Sequence, residues 1–202
     1  MSTNVCADCS GQCRDCCHLK PGTEPVKFGL TINDMQRISK ATGLRPSEYA
    51  DYEKIHPLAK HDMAAVAPGI DRMFPRNIRV GLKFDEKTRA CFFWKAGKGC
   101  ILDKNTRPRI CTLFPAWYAV DGTGKVAIEP MALSNSIECL AIERAKSQPK
   151  KTLKVFNTSE TQLAHFAKLY EVELTRHSQA SDQEIAEAYL VTANISSLPD
   201  QE

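Results

Sequence analysis

No apolar run in this 202-residue chain reaches the roughly 18–20 residues that a membrane-spanning helix needs. The first twenty residues carry five cysteines and no hydrophobic stretch, so no secretory leader is visible. The Met-Ser-Thr start is not a myristoylation signal, and the last four residues are not a prenylation box. An excess of one charge is also missing: 27 basic residues face 24 acidic ones, for a net +3. Nothing in that balance draws the chain to nucleic acid or to an anionic bilayer. Internal repeats and a glycine-rich nucleotide loop are absent as well. These absences point to a soluble protein, expected in the cytoplasm, that engages neither membrane nor nucleic acid.

What the chain does have is cysteine. Nine are present, at positions 6, 9, 13, 16, 17, 91, 100, 111 and 139. An odd number without a secretion signal argues against a disulfide framework. A reducing compartment leaves thiolates available to bind metal, and close spacing lets a chain chelate. Cys13 and Cys16 are two residues apart, the spacing that aims two sulfurs at one ion. Cys16 and Cys17 are neighbours whose side chains diverge, which suits two metals or two irons of one cluster. Taken alone, Cys91 or Cys139 reads equally well as a small buried apolar residue. The 9–17 run sits in a polar stretch that core packing does not explain.

A second segment, from Cys91 to Pro115, supplies Cys91, Cys100 and Cys111. Phe92, Phe93, Trp94 and Phe114 stand beside those sulfurs and are expected to exclude water. Lys95, Lys98, Lys104, Arg107, Arg109 and Arg14 are expected to favour the thiolate form. Pro108 fixes the turn into Cys111, and Arg107 either pairs with a carboxylate or offers its fork of donors to an anion. His18 is read as solvated, and His56, His61, His165 and His177 as ordinary, since none has metal-type spacing.

Around these residues the pattern predicts an α-rich α+β fold. A small, irregular, metal-stabilised domain spans residues 1–148, with short strands and packed helices, and a C-terminal helical extension spans 149–202. Val26 to Leu30 reads as a short strand. Thr31 and Asp34 cap a helix with Ile32, Met35 and Ile38 on one face, stopped by Gly43. Pro46 starts a short helix through Tyr49 and Tyr52. Residues 56–76 read as irregular or weakly helical. Ile78 to Phe84 alternates as a strand. Gly97 to Gly99 is a tight connection, and Trp117–Val120 with Val126–Glu129 forms a hairpin. Ser136 to Lys146 reads as a helix carrying Cys139, with a linker near Pro149. Asn157 with Glu160 caps a long amphipathic helix through Leu163, Phe166, Tyr170 and Leu174. Ser181 with Glu184 caps another through Ile185 and Leu190. These last helices are expected to pack on the cysteine domain or on a protein partner.

The two cysteine segments resemble the YkgJ-like family of cysteine-cluster proteins, a zinc- or iron-chelating domain. Cys13, Cys16 and Cys17 match its Cys-x-x-Cys-Cys run. Cys100, Leu102, Arg107, Pro108 and Cys111 match its later stretch, followed by Phe114-Pro115. Cys91 matches the cysteine before that stretch, and Cys139 the last one, on a helix. Cys9 stands four positions before Cys13 where the pattern has three, which leaves Cys6 as the alternative first ligand. The resemblance covers roughly residues 9–145 and implies a metal set of Cys9, Cys13, Cys16, Cys17, Cys91, Cys100, Cys111 and Cys139.

Eight thiolates suffice for two four-cysteine zinc sites, for one four-iron cluster plus zinc, or for one site with spare thiols. The first functional reading is therefore a metal-binding module, structural or metal-handling. The alternative is an iron–sulfur enzyme, because the cysteine motif is similar to that of flagellin lysine N-methylases. Cys9, Cys13 and Cys16 also have the spacing of radical S-adenosylmethionine enzymes, but the chain is too short and too helical for the barrel they need. A zinc module for nucleic acid lacks a ligand-bearing recognition helix.

Overall fold

A computed structural model of the protein describes residues 17, 29–58, 60–61, 70–114, 116–120, 126–130, 153 and 158–191. Its first helix, α1 (Ile32–Thr42), begins where the capping signal lies. The Thr31 hydroxyl accepts from the Asp34 N–H, and the Asp34 carboxylate accepts from the Thr31 N–H, each at 3.0 Å. Two of the helix's orphan donors are satisfied by that exchange. At the other end Gly43 takes a left-handed φ of 74° and returns its N–H to Ser39, a conformation glycine adopts without steric cost. Ile32, Met35 and Ile38 are buried on one face, as their spacing requires.

A short helix, α2 (Pro46–Tyr49), follows. It stops at Tyr49, so Tyr52 lies in a strand rather than extending the helix: β1 (Ala50–Lys54) takes over at once. Its partner β2 (Ile78–Leu82) pairs antiparallel, with Ala50 opposite Leu82 and Lys54 opposite Ile78. The cross-strand bond wins over local helix propensity because Ala50, Val80 and Leu82 gain a buried face from it. Strand β2 ends at Leu82, and Phe84 forms only an isolated bridge, with Cys91. Near the expected 26–30 strand, Gly29 bridges Gly81 and the Leu30 N–H reaches the Val80 carbonyl; residues 26–28 lie outside the described residues.

The irregular stretch contains two 3-10 turns, Ile70–Met73 and Pro75–Asn77. Next come the two-residue strands β3 (Trp94–Lys95) and β4 (Gly99–Cys100), the five-residue helix α3 (Arg109–Leu113), and an antiparallel hairpin of β5 (Ala116–Val120) with β6 (Val126–Pro130). That hairpin is the one the sequence predicts. The expected 136–146 helix with Cys139 and the linker near Pro149 lie outside the described residues.

Two long-range helices close the fold. In α4 (Glu160–Gln179) the cap is Ser159, not Asn157: its side chain accepts from the Gln162 N–H. Leu163, Phe166, Tyr170 and Leu174 are buried as predicted. In α5 (Asp182–Leu190) Ser181 and Glu184 exchange capping bonds and Ile185 is buried, but Leu190 is exposed, beyond the buried stripe.

These elements make two apolar clusters. One gathers α1, α2, β1, β2, Phe93, Leu102 and Ile185 of α5. The other gathers Met73, Phe74, Ile110, Leu113 and the inner face of α4. Each fully buried large side chain contributes about 1.5–3 kcal/mol, which makes these two clusters the main support of the described fold. An α+β class describes it: helices with small antiparallel two-stranded sheets. No helix among the described residues is long and apolar enough to cross a membrane.

Candidate metal centre

Four cysteines fall among the described residues, and all four are thiols rather than disulfide halves. Three different local devices carry them toward one region. Cys91 follows a tight turn in which the Asp85 carboxylate accepts from the Lys87 and Thr88 N–H groups and from the Thr88 hydroxyl. Those bonds hold the Asp85 carboxyl below its usual range. The turn reverses the chain, so that Asp85 N–H bonds the Ala90 carbonyl and Phe84 bridges Cys91. The Cys91 N–H then donates to the Cys17 carbonyl at 2.7 Å. A direct backbone bond thus joins the two cysteine segments, 74 positions apart in the sequence.

Cys100 ends the β3–β4 hairpin, opposite Trp94. Gly97 and Gly99 turn that hairpin with φ of 71° and 74°, which explains why glycines stand there. Cys111 sits in the middle of α3, whose start is set by Pro108. Cys17 and Cys100 pack on the first apolar cluster, which includes Cys91, while Cys111 packs on the second. Cys111 is thus held by a different apolar cluster from the other three cysteines.

Their mutual influence is electrostatic as well. The Cys111 thiol is pushed well above its usual range, first by burial and then by the thiols of Cys17, Cys91 and Cys100 and the Asp34 carboxylate. Among the described cations, Arg107, Arg109 and Lys104 have partners of their own. Arg109 bonds Glu173 at 3.1 Å and lies over the Phe166 ring, as does Lys104. Lys95 and Lys98 point to solvent. The aromatic shield is partial: Phe93 and Phe114 are buried, Trp94 is half-buried, and Phe92 is 44 % exposed.

Comparison with family models, with curated proteins and with solved structures returns no match. The site is thus read from its own chemistry. Among the described residues, no three Cys, His, Asp or Glu side chains are grouped closely enough to hold one ion as they stand. Of the expected ligands, Cys9, Cys13, Cys16 and Cys139 lie outside the described residues, as does the alternative Cys6. The donor set nevertheless fits a soft or borderline cation. Cys17, Cys91 and Cys100 all act electrostatically on Cys111, and sulfur is the ligand that soft and borderline cations prefer.

Position-by-position reading missed a neighbouring polar group. Asp34, Arg37, Arg109 and Glu173 form a network beside Cys111: Arg37 bonds both Asp34 and Glu173, and Arg109 bonds both through its N–H and its guanidinium. The signal was present in α4, where Glu173 interrupts the otherwise apolar stripe between Tyr170 and Leu174. A charge on a buried face calls for a partner.

Proposed function

We propose that this protein is a thiolate metal-binding module in which Cys17, Cys91, Cys100 and Cys111, with the neighbouring cysteines of the 9–16 run and Cys139, hold zinc or an iron–sulfur cluster in a structural role. The observation that carries this reading is the Cys91–Cys17 backbone bond, which joins the two cysteine segments beside Cys100 and Cys111. The structural role is supported by how little regular structure the cysteines sit on. Two-residue strands and a five-residue helix are marginal by their own hydrogen bonds, and metal–ligand bonds are a source of folding energy for such segments. The pattern of Cys100, Arg107-Pro108 and Cys111 keeps its resemblance to the YkgJ-like cysteine-cluster family as further support.

Elemental analysis and a visible spectrum of anaerobically purified protein test the proposal. Stoichiometric zinc in a colourless protein, or iron with a broad thiolate-to-iron band, is the expected result, and Cys100→Ser or Cys111→Ser should lower the metal content. Wild-type protein carrying only trace metal, and taking up none on anaerobic reconstitution, would sink it.

A further inference from the structure

We infer that Arg107 is a positioning residue of the thiol site, which sets the Cys100 and Cys111 segments against each other by binding the Leu102 and Cys100 backbone carbonyls. The inference rests on the metal-binding reading above and adds to it the residue that fixes the spacing of two of its ligands.

The chain between the two cysteines has few regular hydrogen bonds. After Cys100 the hairpin pairing ends, with one last bond from the Ile101 N–H to the Phe93 carbonyl. A turn follows, in which the Thr106 and Arg107 N–H groups both bond the Asp103 carbonyl. From that turn the Arg107 side chain folds back. Its Nε donates to the Leu102 carbonyl at 2.9 Å, and a terminal nitrogen donates to the Cys100 carbonyl at 3.4 Å. Two donors on one edge of a planar guanidinium thus address carbonyls two residues apart, which suits the fixed fork of arginine and not the single nitrogen of lysine.

The other side of the clamp is stiff. Pro108 follows directly, with φ fixed by its ring, and caps α3. The next N–H, of Arg109, is held by the buried Asp34 carboxylate at 3.0 Å. The Thr112 hydroxyl reaches the Lys104 and Pro108 carbonyls at 3.3 Å each. Movement of Arg107 relative to Cys100 is therefore passed to Cys111 with little slack. A ligand pair held in this way pre-forms part of a metal site.

The full-length protein with Co(II) and Zn(II) as probes provides the test. Zinc affinity is read by competition with a chromophoric chelator, and ligand geometry by the thiolate-to-cobalt and d–d absorption. Arg107→Lys keeps the charge and the apolar stem; Arg107→Gln keeps a shorter amide donor. Both are expected to weaken zinc binding by about tenfold and to shift the cobalt d–d bands while the far-ultraviolet circular dichroism stays that of wild type. Full rescue by lysine would show that charge is what matters and would overturn the inference, as would two variants with wild-type affinity and spectra. Should Arg107→Gln fail to fold, Arg107→Lys alone decides. Wild-type protein that binds neither probe removes the metal-binding reading itself. Wild-type binding with unaffected variants removes only the role of Arg107.

Discussion

The Arg109 N–H donates to Oδ1 of Asp34 at 3.0 Å, across 75 positions of sequence. One carboxylate thereby caps two helices: Oδ2 of Asp34 accepts from Thr31 at the start of α1, and Oδ1 receives the start of α3. Asp34 is fully buried, a costly place for a lone charge. Arg37 lies against it, and Glu173 from α4 completes a balanced set of two carboxylates and two guanidinium groups. Burial still holds the Asp34 carboxyl above its usual range, against the pull of Arg37. The network ties together the cap of α1, the helix that carries Cys111, and the long C-terminal helix.

Glu173 is the member whose loss should cost most, because it bonds both arginines and the Thr31 hydroxyl. Glu173→Ala leaves two guanidinium groups facing a single carboxylate in a desolvated region. Removing one partner of such a buried network costs about 3–5 kcal/mol. Chemical denaturation should show a drop of that order, with Glu173→Gln intermediate. A loss below about 1 kcal/mol, the scale of an exposed pair, would mean that the network is effectively solvated.

How much of this was legible in the sequence depended on the range of the interaction. The caps at Thr31–Asp34 and Ser181–Glu184, the Gly43 stop and the apolar face of α4 are set by residues within four positions of one another, and all were readable. The cap at Ser159 was just as local, but Asn157 with Glu160 offered the same spacing two residues earlier, and pattern alone did not separate them. Tyr52 was misplaced because its strand exists only through β2, some 28 residues later. Of the candidate site, the cysteine positions stand in the sequence, but the Cys91–Cys17 backbone bond between their segments does not. The Asp34–Arg109–Glu173 network was not legible, since no local rule joins positions on three separate elements. The fork of donors on Arg107 is visible in the sequence, but its carbonyl acceptors depend on where the β3–β4 hairpin ends.

His177 provides a pH test. It is buried on α4, with Nε2 3.3 Å from the Met73 carbonyl, and burial lowers its pKa from 6.5 to about 4. The folded protein therefore holds His177 neutral while the unfolded chain protonates it. The stability this contributes is fully present above pH 6.5 and is lost as pH falls toward 4. The shift corresponds to about 3 kcal/mol across that window. Unfolding midpoints of wild type and His177→Gln, compared from pH 7.5 to 4.5, should converge on acidification. Parallel pH profiles would show that His177 takes up its proton in the folded state as readily as in the unfolded one.

Thiol reactivity should distinguish the four described cysteines. In metal-free, reduced protein at pH 8, Cys111, whose pKa is raised first by burial and then by its neighbouring cysteines, and the buried Cys91 should alkylate more slowly than Cys17 and Cys100. In metal-loaded protein Cys17, Cys91, Cys100 and Cys111 should all resist, and a chelator should release them. Mass spectrometry after brief iodoacetamide treatment reads each site. Equal labelling with and without metal would separate these thiols from any bound ion.

Two glycines allow the hairpin that carries Cys100 to be tested against a control. Gly97 in the β3–β4 turn and Gly43 after α1 have φ of 71° and 74°, and a Cβ at either would meet nothing within 4 Å. Alanine at either position therefore pays only for the left-handed backbone, about 1 kcal/mol. Both variants should lose similar thermal stability. Their metal affinities should differ: Gly97→Ala loosens the turn that presents Cys100, so zinc should bind more weakly. Gly43→Ala strains a helix end with no cysteine on it, so zinc affinity should stay at the wild-type value. Equal affinity in both variants would mean that the hairpin's geometry does not govern the site, and that Cys100 reaches its metal whatever the state of the turn.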